Sequence, residues 1–294
     1  MKDETLEAFP KFDELWNYQD PQGTEARFRD LLARTERAER PDYTVELLTQ
    51  IARCQGLYDD FDNAHKTLDQ AEKQLGAGMD RARVRCLLER GRVFNSGGEP
   101  ARALPLFEQA WQLGKVAGET RLAFDALHMV ALAQPTESGK VQWNLKGIAE
   151  VEGAPSEGGW LPAFYNNLGE AYASQGAYVE GLAAFQKLNA LTTAKGEPAD
   201  IYTQKDIARM LRALGRAEEA LAMIRPIHDD LEAKKRPDGW IDEEMAECLA
   251  ATGCEAEARP LFGRAYEALK GDLWVVRNDA GKLERLRNMT GGGT

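Results

Sequence analysis

Large apolar residues recur every three or four positions along most of the chain, and short breaks interrupt them at regular distances. That spacing predicts helices, and the alternation that marks strands is nearly absent. Evenly spaced breaks point to internal repeats. The stretch YNNLGEAYASQGAYVEGLAAF, residues 165–185, holds the pattern most clearly. Its frame is Leu168-Gly169, Tyr172, Gly176, Gly181, Phe185 and, just beyond, Leu188. The frame fits again at Ile51-Ala52, Gln55, Asp59, Ala64, Leu68 and Ala71, and at Arg90-Gly91, Phe94, Gly98, Ala103, Phe107 and Ala110. Downstream it fits Ile207-Ala208, Leu211, Gly215, Ala220, Ile224 and Ile227, then Met245-Ala246, Leu249, Gly253, Ala258, Phe262 and Ala265. A degenerate copy lies between, at Leu127-His128, Ala131, Pro135, Lys140, Asn144 and Gly147.

The turn positions 59, 98, 135, 176, 215 and 253 stand 39, 37, 41, 39 and 38 residues apart. Each copy predicts a helical hairpin. Small residues at the Gly169 and Gly181 slots let two backbones approach, and bulky residues at the Tyr172 and Phe185 slots fill the space around them. Glycine at the turn ends the first helix in a left-handed cap. The chain therefore divides into three parts. Residues 1–44 hold a divergent first hairpin (helices over 5–18 and 24–38) that acts as a cap. Residues 45–270 hold six repeats. Residues 271–294 form a closing segment over 272–289 with a frayed GGGT tail. The loop-like stretch EGAPSEGGW, 152–160, reads as a hinge or wide turn between the third and fourth repeats rather than as a domain boundary.

The large–Leu-Gly–Tyr–Gly–small–Phe frame of residues 165–185 resembles the tetratricopeptide repeat, with Gly181 where that family usually has alanine. The period here is longer than the family's, about 34 residues. It is more similar to variants with extended helices, as in kinesin light chains and bacterial peptide-sensing regulators. The whole chain resembles uncharacterised bacterial tetratricopeptide proteins with repeats of this length. The resemblance implies an all-α, right-handed superhelical solenoid of antiparallel helix hairpins. It also implies that the first helix of each hairpin lines a concave groove and that ligands lie along that groove.

Charge and composition narrow the function. The formal net charge of −11 argues against a general nucleic-acid binder, which needs a basic surface. The acidic N-terminal stretch MKDETLEAFPKFDELW does not read as a signal peptide, and no apolar run reaches the length of a membrane span. Cys54, Cys86, Cys248 and Cys254 form no CxxC and lie far in sequence from His65, His128 and His228, so free thiols in a reducing cytoplasm are expected and no metal site. There is no P-loop, dinucleotide fingerprint, HExxH or GxSxG, which predicts a protein that is not an enzyme and carries no cofactor.

The expected activity is therefore a protein or peptide interaction scaffold. The alternative is a regulatory sensor that responds to a peptide or small molecule. Self-association into a homo-oligomer through an exposed apolar end is a further alternative. The repeat register places Gln50, Arg53, Arg92, Asn95, Asn166, Asn167, Glu170, Lys205, Arg209 and Arg212 on the inner wall. Asparagine offers a donor and an acceptor to any peptide bond, and arginine can grip a carboxylate through two parallel bonds. Against this stands the reading that these side chains pair across neighbouring helices. In the third repeat, His128 and Asn144 fall where the frame wants small and large apolar residues. They mark either a polar pocket or a histidine satisfied within the fold. Trp160, Tyr202 and Trp240 stand at or before the starts of first helices, as a rim or as staples between repeats.

Overall fold

A computed structural model of the chain describes residues 9–37, 40–194, 196 and 198–290. Residues 5–8 and 38 of the expected first hairpin and the GGGT tail lie outside these. The described residues form helices and no strand, and none of the helices is long and apolar enough to cross a membrane. They fall into two compact units, residues 1–160 and 161–294.

The first unit opens with a short helix α1 (Phe12–Leu15) and a long α2 (Pro21–Arg37). Three hairpins follow: α3 (Pro41–Leu57) with α4 (Phe61–Lys73), α5 (Asp80–Ser96) with α6 (Pro100–Val116), and α7 (Thr120–Leu132) with α8 (Glu137–Glu152). A 3-10 turn over Pro155–Trp160 ends the unit, so the stretch expected to be a hinge or wide turn and no boundary is where the two compact units divide. The second unit holds α9 (Leu161–Ser174) with α10 (Tyr178–Thr193), α11 (Ile201–Ala213) with α12 (Ala217–Ala233), and α13 (Gly239–Ala251) with α14 (Glu255–Leu269). Two short helices, α15 (Leu273–Asn278) and α16 (Ala280–Met289), close it.

All six repeats are helical hairpins, and the frame residues explain why. A Cβ at Gly169 would come 2.6 Å from the Phe185 ring, and one at Gly91 would come 2.5 Å from Phe107. Those two phenylalanines are fully buried, as are Phe164 and Phe262. Each buried ring contributes about 1.5–3 kcal/mol. At the turns, Asp59, Gly98, Gly176, Gly215 and Gly253 all have positive φ, the left-handed cap that the spacing demands. In the second unit one continuous apolar core runs from Leu182 through Phe185, Met210, Ile224 and Phe262 to Leu286 of α16. Cys54, Cys86 and Cys248 are buried free thiols, and burial pushes Cys54 and Cys86 up to about 12.

The third hairpin departs from the frame. Proline cannot adopt positive φ, so Pro135 cannot supply the turn that glycine supplies elsewhere. Helix α7 has 13 residues, as α11 and α13 do, where α3 and α5 have 17. Helices α3 and α5 start eleven residues before Ala52 and Gly91, and α7 starts eleven residues before Ala131. Burial agrees, since Val130 and Ala131 are fully buried like Ile51 and Ala52. Two registers fit this helix: counted from the starts of α3 and α5 the pair falls at Val130-Ala131, and counted from the start of α9, eight residues before Gly169, it falls at Leu127-His128, where Leu127 is also fully buried.

Candidate functional site

In the second unit, the inner positions of α9, α11 and α13 open onto a cavity of about 740 Å³. Four of the residues expected on the inner wall line it: Glu170 from α9 and Lys205, Arg209 and Arg212 from α11. Tyr202, Trp240 and Trp274 supply aromatic surface, with the two indole rings 6.1 Å apart and tilted by 59°. Glu243 and Glu244 of α13 and Asp279, Lys282 and Arg285 at the closing helices complete the wall.

Ion pairs order this wall. Arg212 grips Glu244 through two bonds, Nε at 2.8 Å and Nη2 at 3.0 Å. Arg209 donates to Glu170 at 2.5 Å and lies 3.3 Å from Asp206, while Lys205 lies 2.8 Å from Asp206. Lys282 donates to both oxygens of Glu243, and Arg285 reaches Glu243 and Glu247. Burial works against the charge of Arg212, but the hydrogen bond and charge of Glu244 outweigh it and raise its pKa above the ordinary guanidinium value. Glu243 and Glu244 are buried, near the start of α13, whose Asp238 cap accepts from the amides of Trp240 and Ile241. The ammonium groups of Lys205 and Lys282 stand 5.6 and 4.9 Å from the Trp240 ring centre. Tyr202 donates to Asp238 at 2.7 Å and so ties α11 to the start of α13. That bond, with burial, pushes the phenol up to about 12.

The first unit has a smaller cavity of about 150 Å³, lined by Arg53, Glu89, Arg92, Asn95 and Met129 among others. Arg53 Nη1 lies 3.3 Å and Arg92 Nη1 2.6 Å from Glu89 Oε1, and Arg92 Nη2 donates to Asp125 at 2.5 Å. Arg53 also stands 5.8 Å from the centres of both Trp16 and Tyr18. Burial opposes the Asp125 charge, yet Arg92 beside it holds the carboxyl below its usual range. Gln50 is buried, accepting from Trp16 Nε1 at 2.9 Å and donating to Thr49, so its amide is engaged in holding the first cap.

Asn166 is exposed and Asn167 half-buried, and neither lines these cavities. His128 packs against Trp160, ring centres 5.8 Å apart, and burial lowers its pKa although Asp125 pulls the other way. Asn144 is buried and donates to the Lys140 carbonyl at 2.8 Å. Its Oδ1 accepts no hydrogen bond among the described residues. The closing-helix residues Lys282 and Arg285 and the aromatic Trp274 escaped the sequence reading. The signal was the i, i+3 pair of cations on an amphipathic helix after the last repeat.

A family model, the tetratrico peptide repeat, matches residues 84–127 and 178–269. No curated protein matches by sequence. Among solved structures, the chain is similar to a signal-transduction ATPase with a tetratricopeptide repeat sensor from Pyrococcus horikoshii. The TM-score is 0.71 at 12% identity, covering 91% of this chain and 42% of that one. This chain thus spans less than half the length of that protein. It is also similar to a tetratricopeptide repeat protein from Parabacteroides merdae, TM-score 0.57 at 16% identity over 94% and 99% of the two chains. A third is the apo quorum sensor NprR from B. thuringiensis, TM-score 0.62 at 15% identity over 94% and 78%. NprR in complex with its cognate peptide NprX gives 0.56 at 17% identity, over 94% and 81%.

Proposed function

We propose that this chain, whose fold is that of a tetratricopeptide-repeat protein, is a non-enzymatic scaffold that holds a segment of a partner protein or a peptide against its inner wall. The carrying observation is the 740 Å³ cavity, where Trp240, Trp274 and Tyr202 meet the ion-paired residues of α9, α11, α13 and α16. The aromatic floor accepts an apolar or aromatic side chain and supplies most of the affinity, as buried aromatic anchors do at interfaces. The ion pairs supply register. An incoming carboxylate takes Arg209 from Glu170, and an incoming ammonium group takes Glu243 from Lys282. Such exchange of one pair for another adds specificity more than net affinity. Asn166 lies one helical turn before Glu170 on α9, and with Asn167 it pairs with the segment's backbone amides. Arg53, Arg92 and Asn95 form a second, smaller contact in the first unit, and Gln50 supports it by fixing Trp16. The protein works in the cytoplasm, where its buried thiols stay reduced.

Peptides selected from a displayed library against the full chain test this reading. Trp240→Ala combined with Arg209→Ala is expected to weaken a selected peptide by at least about tenfold while leaving the helical circular dichroism intact. Unchanged affinity in the folded variant would sink the assignment.

A sensor reading is favoured by the likeness to NprR, a quorum sensor with structures in apo and peptide-bound forms. It requires the selected peptide to change the radius of gyration in small-angle scattering, which a rigid scaffold does not show.

A further inference from the structure

Away from the groove, α12 and α13 bring together His228, Glu232 and Asp242. Their ligand atoms lie within 4.8 Å of one another. We propose that these three side chains bind a divalent transition-metal ion of the Zn²⁺, Ni²⁺ or Co²⁺ class.

Two of the donors share one helix face, since His228 and Glu232 stand four residues apart on α12. The third comes from the first turn of α13. The imidazole is set for coordination. Its Nδ1 faces Asp229 Oδ1 at 3.3 Å, so in the tautomer protonated at Nδ1 a carboxylate accepts that proton and Nε2 carries the lone pair. That Nε2 is buried, has no hydrogen bond among the described residues, and lies 3.3 Å from Asp242 Oδ1. In that tautomer a lone pair and a carboxylate oxygen face each other, and a cation between them would satisfy both; the Asp242 side chain is only 3% exposed.

A cation already stands at the edge of the cluster. The Arg264 guanidinium bonds Asp242 through Nε and Nη2, both at 3.0 Å, and reaches Glu232 through Nη2. Two carboxylates and one guanidinium leave a net charge of −1, which a divalent ion in place of the guanidinium would cancel. Arg264 is free to make way. Its side chain is 37% exposed and borders an open cavity of about 810 Å³. One imidazole nitrogen in the donor set selects a transition ion over Mg²⁺ or Ca²⁺, which take oxygen ligands. Water fills the remaining coordination positions. The site does not depend on the groove: Glu243, the next residue on α13, faces the other cavity.

The test is a Co²⁺ titration of the untagged, chelator-stripped full chain near neutral pH, followed by calorimetry and visible absorbance. One equivalent is expected to bind. His228→Ala and the exposed Glu232→Gln should each weaken it by at least about tenfold. Arg264→Met removes the competing charge and should tighten it about tenfold. The proposal is overturned if the wild-type chain binds no equivalent below the millimolar range, or if either ligand variant binds as the parent does. An intense thiolate-to-cobalt band, which would place the ion on a cysteine, also overturns it.

Discussion

Gly169 shows how one absent methyl group sets a hairpin. The Phe185 ring occupies the space a Cβ would need, so the two helices can cross only where one side chain is missing. Gly169→Ala is expected to cost about 1–3 kcal/mol, read as a lower midpoint in urea unfolding. Asp125 makes a different kind of contact. Its carboxyl titrates below the ordinary value because Arg92 holds the charged form. A depressed folded pKa adds stability above the unfolded value and loses it as pH falls through the folded one. Asp125→Asn should therefore cost about 1.5–3 kcal/mol at neutral pH. The gap to the parent should narrow as the pH drops below about 4. Denaturant melts across that range check the sign.

Among elements, the frame residues were legible because backbone contact and turn geometry each admit few residue types. The inner positions of α11 were legible for the same reason, since Ile207-Ala208 fixes which way Lys205, Arg209 and Arg212 point. Asn166 and Asn167 share that register on α9, but the cavity is centred on α11 and α13, which a one-dimensional frame does not reveal. The contribution of α16 was hidden because a closing helix obeys no repeat. Its Lys282 and Arg285 nevertheless neutralise Glu243, which is 6% exposed. Lys282→Ala with Arg285→Ala leaves that carboxylate buried and unpaired, at a cost of about 3–5 kcal/mol. Hydrogen exchange is expected to report the loss first in the amides of α13.

Within each unit of the molecule, each hairpin packs on the next, so the unit's stability is close to a sum of hairpin and neighbour terms. Two compact units and a linear chain of contacts argue against one all-or-none transition. Scanning calorimetry should give a van't Hoff enthalpy below the calorimetric one. Equality of the two would show that the units unfold together.

The turn at Pro135 has a consequence for how such an array can grow or shrink. Elsewhere, excising one period between equivalent turn residues joins one left-handed turn to another, at Asp59, Gly98, Gly176, Gly215 or Gly253. A cut at Pro135 joins a turn that proline cannot make left-handed to one that is, so copying or deleting the third hairpin there means rebuilding the junction. The family match stops at Leu127 and resumes at Tyr178, on either side of that hairpin's turn. Among the described turns of the six hairpins, this is the one at which that exchange of like for like fails.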